Sequence, residues 1–166
     1  MAKRHQSLIS LSHDHHHGLA LALRLRQGDK ALLTDGWTHD REKQAERVLR
    51  YYEDELSVHF RLEEEILFPA MVKHAPPSSS LIDALIAQHR QMESVIGRLP
   101  TARDVSLHQM LLELGTLLEL HIRDEERRLF PEFERLVPQP VALEIDESLR
   151  LLQQSLVSSQ QQRRGD

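Results

Sequence analysis

The strongest constraint on this chain is an apolar stripe spaced by alternating threes and fours, written four times and interrupted each time by a histidine. Between about residues 38 and 74 it reads Ala45, Leu49, Tyr52, Leu56, His59, Glu63, Ile66 and Ala70. Between about 103 and 136 it reads Leu107, Leu111, Leu114, Leu118, His121, Glu125 and Leu129. Two shorter stretches, about 8–27 and 79–98, carry Leu8, Leu11, His15, Gly18, Ala22, Leu25 and Ile82, Leu85, His89, Met92, Ile96, Leu99. Such spacing belongs to a helix face turned toward the middle of a bundle. Breakers separate the stretches: Gly28 and Gly36, the run from Ala75 to Ser80, Pro100-Thr101, then Pro138 and Pro140. Short links between long helices make neighbours antiparallel, so the expected fold is all-α, an up-down-up-down four-helix bundle over residues 1–140. Residues 141–166 hold a fifth helical segment (141–160, with Leu149, Leu152, Leu156 and Val157) and a polar QQQRRGD tail. That segment packs across the bundle, mediates self-association as a homodimer, or frays; the sequence does not decide.

The polar residues on these stripes carry the chemistry. Residues four apart on a helix share a face, so His59-Glu63 and His121-Glu125 are two-pronged sets pointing inward. A carboxylate in an apolar core must neutralise or find a partner, and two facing glutamates also repel each other. One or two dications between them remove both penalties. Four histidines, one per helix, supply two nitrogens to each of two metals, and Glu63 and Glu125 can bridge the pair. Imidazole and carboxylate donors suit iron, manganese or zinc. The first helix's register selects His15. A shifted register through Ile9, His16, Leu19 and Leu23 selects His16, which stands as the alternative or as an added nitrogen.

An internal repeat sharpens this reading. Residues 59–69 (HFRLEEEILFP) match 121–131 (HIRDEERRLFP) in the frame H-Φ-R-x-E-E-x-x-L-F-P, where Φ is apolar. The first and third helices echo each other more weakly, as Asp14-His15 and Gln88-His89. Glu64 and Glu126 fall off the stripe, in solvent on the simplest reading and otherwise as acceptors for a ligand imidazole N–H. The Leu-Phe-Pro triplets read as packing and helix-end residues, with Phe68 and Phe130 keeping a pocket dry. Tyr51 and Tyr52 read as core filler ahead of phenols near the site. His5, His39, His74 and His108 read as surface or loop residues, and Glu93 as a solvated charge.

Over about residues 5–136 the sequence resembles the hemerythrin-like, or HHE cation-binding, domain family, and the doubled frame carries the resemblance. The resemblance implies a di-iron centre, oxo- or hydroxo-bridged, with zinc or manganese as substitutes, on His15, His59, Glu63, His89, His121 and Glu125. It implies a small gaseous or peroxide ligand at the metals. The expected role is binding or sensing of dioxygen, nitric oxide or iron. The alternative is an oxidoreductase that turns over peroxide or nitric oxide, or repairs iron centres, at the same site. Oxygen-carrying members have a further histidine one turn after the third-helix histidine; Glu93 stands there in this chain and speaks against reversible oxygen carriage.

Composition excludes several other classes. With no cysteine there is no disulfide, thiolate metal site or iron–sulfur cluster. A net charge of -5 without a basic face argues against nucleic acid. No run approaches the roughly 20 apolar residues of a membrane span. The opening MAKRHQSLISLSHDHHHG lacks a signal peptide's apolar core, so a cytoplasmic location is expected.

Overall fold

A computed structural model of the chain describes residues 4–31, 33, 34 and 36–165. Met1, Lys3 and Asp166, at the outer ends of the two expected segments, lie outside the described residues. All regular structure among the described residues is helical: α1 (Gln6–Gln27), α2 (41–74), α3 (Ser79–Arg98), α4 (104–136) and α5 (Gln139–Gly165). The first four form the expected bundle. The caps follow from local chemistry. The Asp40 side chain accepts from the amides of Glu42 and Lys43 to start α2. Gly28 ends α1 at φ 54°, a conformation that suits glycine.

α1 approaches α4 closely because both are notched. A Cβ at Gly115 would lie 2.9 Å from the Ala22 carbonyl oxygen, and one at Gly18 would lie 2.7 Å from Ile122 Cδ1.

In both α2 and α4 a π-helical turn opens on the stripe glutamate, over Glu63–Leu67 and Glu125–Leu129. The Phe68 N–H donates back five residues to the Glu63 carbonyl, and the Phe130 N–H to that of Glu125. The cause sits next in sequence. Pro69 and Pro131 have no N–H, and their rings would crowd the carbonyl four residues back in a regular helix. The widened turn accommodates them, so these prolines do not end the helices, which run on to His74 and Leu136. The extra residue also rotates the face in α2: Ile66 and Ala70 are only half-buried, while Leu67, Phe68 and Met71 are fully buried. A third π-helical turn, Tyr52–Leu56, occurs in α2 alone, and above it Val48 rather than Leu49 is buried.

Two apolar clusters fill the interior. One holds Leu25, Trp37, Val48, Ile96 and Leu111. The other holds Leu8, Met71, Leu85, Phe133 and, from α5, Ala142, Ile145, Leu149 and Leu156. α5 packs along α1 and α2, and the Ser7 hydroxyl donates to the Ala142 carbonyl at 2.7 Å. The C-terminal segment is therefore a packed fifth helix, longer at both ends than expected, although Val157 on it is exposed. No helix among the described residues is long and apolar enough to cross a membrane.

Candidate metal centre

The helices bring six predicted residues into one layer: His15 from α1, His59 and Glu63 from α2, His89 from α3, His121 and Glu125 from α4. All six are buried, and both glutamates are 0% exposed. Their donor atoms fall into two groups, His15-His59-Glu63-Glu125 and Glu63-His89-His121, which share Glu63. Glu63 Oε1 lies 3.0 Å from His59 Nε2, and its Oε2 lies 3.3 Å from His89 Nε2. Glu125 Oε2 lies 3.1 Å from His15 Nε2 and 3.2 Å from His121 Nε2.

Every imidazole is held from behind. His15 Nδ1 lies 2.7 Å from Glu126 Oε1, and His89 Nδ1 lies 2.7 Å from Glu64 Oε1. His59 Nδ1 lies 3.1 Å from Asp14 Oδ2, and His121 Nδ1 lies 3.0 Å from Gln88 Oε1. A carboxylate can only accept, so the Nδ1 of His15, His59 and His89 carries the proton and donates. Gln88 behaves alike, because its Nε2 donates to Asp124 Oδ2 at 3.2 Å and turns its oxygen to His121. In the neutral rings, the Nε2 lone pairs then point inward. His15 Nε2 faces His59 Nε2 at 3.2 Å, and His89 Nε2 faces His121 Nε2 at 3.1 Å. All four carboxylate oxygens of Glu63 and Glu125 are buried without a hydrogen-bond partner among the described residues, although imidazoles surround them. Lone pairs converging on lone pairs, with orphaned carboxylate oxygens between them, make a donor set that could hold cations.

Glu64 and Glu126 are thus not solvated charges but the acceptors that orient His89 and His15. Ser12 Oγ donates to Glu126 at 2.6 Å, and Arg4 and Arg90 pair with Glu126 and Glu64 respectively. Asp14 and Gln88 are orienting groups that no stripe reveals; the echo between the first and third helices is their signal in the sequence. Phe130 stacks on His15 at 5.4 Å and Phe68 on His89 at 5.8 Å, so each frame's phenylalanine covers a histidine of the other hairpin.

The buried groups of the layer differ in how readily each holds a proton. Burial disfavours charge on His59, but Glu63 and then Asp14 outweigh it and raise that imidazole well above its usual range. Burial likewise opposes the Glu63 carboxylate, yet the positive neighbours, His59 foremost, hold it well below the usual range. Burial and the charge of Glu63 push Glu125 up to about 7. Burial, joined by the neighbouring imidazoles against the pull of Glu63, drives His121 well down. Burial opposes charge on Glu126 too, but the hydrogen bonds from His15 and Ser12 bring it down to about 2.

A cavity of about 10 Å³ abuts the cluster, lined by Asp14, His15, Tyr51, His59 and His121 with apolar Leu56, Leu118 and Ile122. That is room for about one water-sized molecule. Tyr51 is therefore a phenol beside the site rather than plain filler. Tyr52 instead donates to Glu93 Oε1 at 3.2 Å, and Glu93 also pairs with Arg90 at 2.5 Å. His16 is exposed and takes no place in the layer; His17 faces Glu55 at 3.0 Å on the surface.

No curated protein and no solved structure gives a match to this chain. A family model does match, over residues 7–133, which include every residue of the buried layer and the acceptors behind it. With its His/Glu clusters arranged to hold metal, the chain belongs to the hemerythrin HHE cation-binding domain family.

Proposed function

We propose that the buried layer holds two iron ions, ligated by His15, His59, His89 and His121 and bridged by Glu63 and Glu125, and that the protein binds or senses a small molecule there. The observation that carries this reading is the set of inward Nε2 lone pairs around four unpartnered carboxylate oxygens. The cavity beside it supports the second half, since it leaves space for a molecule of about the size of water next to the histidines. Iron in such a site supplies a redox-active Lewis acid; zinc or manganese would fill it without the same redox range. The chain's own residues orient the imidazoles, exclude bulk water with Phe68 and Phe130, and place Tyr51 in the lining of the cavity. Burial, then Glu55 and Asp14, raise that phenol above its usual range, so it stays a neutral hydrogen-bond donor.

The test is metal analysis with visible absorption spectroscopy on aerobically purified protein from iron-replete cells. About two irons per chain are expected, lost in a His59→Ala/His121→Ala double variant. A metal-free protein, or a double variant that keeps its iron, would overturn the proposal. Turnover of peroxide, the oxidoreductase alternative, is favoured by the presence of the Tyr51 phenol, a proton-bearing group, in the lining of the cavity. It predicts a peroxide-consuming activity that Tyr51→Phe abolishes while iron content stays unchanged.

A further inference from the structure

The two metal positions are built from the same repeat, yet their imidazoles are not backed alike. On the His15/His59 side both acceptors are carboxylates, Glu126 and Asp14. On the His89/His121 side one is a carboxylate, Glu64, and the other is the neutral amide of Gln88. The difference is reinforced one residue further out. Gln88 is anchored by Asp124, whose counterpart in the first frame is Leu62, an apolar residue that offers the first half no such anchor. In the other half an amide faces the carboxylate that fixes its orientation. Each half thus has one additional acid, but it touches the imidazole directly at His59 and only through an amide at His121.

An imidazole whose N–H is donated to a carboxylate is a stronger donor at its other nitrogen than one whose N–H is donated to an amide, because the anion draws the proton and leaves more density on the ring. From this we infer that Asp14 is a positioning residue that makes the two metal sites unequal: the His15/His59 site binds its ion more tightly, and the His89/His121 site is the labile one. The inference rests on the two-metal reading above. In a centre of this kind the labile position is the one that exchanges its ion first.

The experiment follows loss of metal from the anaerobically iron(II)-loaded full chain into an excess of chromophoric chelator. Two phases are expected, differing by about 10-fold or more, the range by which an outer hydrogen-bond partner alters metal affinity. Asp14→Asn keeps the shape and the acceptor oxygen but removes the charge, and it brings the slow phase toward the fast one. The paired change Gln88→Glu/Asp124→Asn moves the acid inward on the other side and slows the fast phase. Unchanged thermal unfolding of the loaded variants separates these effects from misfolding. Two irons leaving in a single phase, or Asp14→Asn speeding both phases equally or neither, would overturn the inference while leaving the two-metal reading intact. A protein that never takes up iron would overturn that reading, and this one with it.

Discussion

The two flanks of the buried layer use one scaffold and fill it differently. On each flank a phenylalanine from the frame covers a histidine, a glutamate holds that histidine's Nδ1, and a π-helical turn starts at the buried stripe glutamate. Besides the groups behind His59 and His121, the flanks part at two positions that govern space. Three residues after the helix histidine stands Gly18 in α1 and Met92 in α3. At the frame's apolar position Φ stands Phe60 in α2 and Ile122 in α4. Phe60 stacks on His89 with ring centroids 3.7 Å apart, and Met92 is fully buried. On the other flank Ile122 lines the cavity, with Gly18 beside it. The repeat therefore specifies where metal could be held, and the residues that break it specify which side has space for anything else.

The largest effect should come from testing the repeat itself. By frame position Glu63 and Glu125 are equivalent, but Glu63 reaches three imidazoles, at 3.0, 3.3 and 4.0 Å, against two for Glu125. Glu63→Gln should weaken binding of both ions by more than about 100-fold, beyond the loss seen for outer partners. Glu125→Gln should leave a partly loaded protein. Metal per chain after dialysis checks this, and equal loss in the two variants would restore the symmetry that the geometry denies.

Next in size is an exchange of flanks. Ile122→Phe fills the cavity and should weaken azide or nitric oxide binding by about 10-fold or more, equivalent to about 1.4 kcal/mol, with iron content kept. The added volume should also lower stability by about 1–3 kcal/mol. Phe60→Ile should open space against His89 and leave the original ligand pocket working. Spectroscopic titration of both variants reads the outcome. Undiminished binding in Ile122→Phe would mean that ligand enters elsewhere.

The six cluster residues and the bundle were legible in the sequence because a periodic apolar stripe exposes any polar residue that interrupts it. The π-helical turns at Glu63 and Glu125 are not legible in the stripe, although Pro69 and Pro131 follow them: a proline after an unbroken stripe signals a helix end or a widened turn with equal force, and only the continuation to His74 and Leu136 separates these. The missed turn explains why Ile66 and Ala70 were assigned to the core in place of Leu67 and Met71. Glu64 and Glu126 were placed in solvent because they lie off the stripe, and a group that reaches an imidazole from its outer edge must lie off it. The cavity depends on how Gly18, Ile122 and Tyr51 meet across three helices, which no single-helix pattern contains.

The uneven protons of the metal-free layer give a further way to separate its halves. His59 has its pKa raised well above 6.5, so the stability it contributes is full below 6.5 and drains as pH rises through the raised value. Glu125, raised from 4.5 to about 7, loses its contribution over that interval in the same direction. Glu63 and His121 are shifted downward and change stability only below 4.5 and 6.5 respectively. Above pH 6.5 the metal-free chain should therefore lose stability as pH rises, by up to about 1.4 kcal/mol per pH unit for each proton retained on folding. The loaded protein should behave oppositely over the same window, since ions displace those protons and bind better as they leave. Thermal unfolding from pH 6.5 to 9, with and without metal, checks the crossing slopes. Parallel slopes would mean that ion and protons do not compete for one site.

The smallest effect is predicted where the repeat is most faithful and least consequential. Both frames keep an arginine two residues after the histidine, which invites a role at the centre. The side chains instead point away from it: Arg61 Nε reaches forward to Glu65 at 2.6 Å, and Arg123 Nε reaches back to Glu119 at 3.1 Å. Each is a half-exposed pair on its own helix, one turn apart, and such pairs contribute about 0.3–0.5 kcal/mol. Arg61→Ala and Arg123→Ala should each lower stability by no more than that, the loss shrinking further in high salt, and neither should change iron content. If either variant released iron, the arginine would be acting on the layer through its helix, and fidelity to the repeat would have been the better guide. The opposite directions of the two pairs argue otherwise, because a residue needed by the centre would reach the same partner in both halves, as Glu64 and Glu126 do.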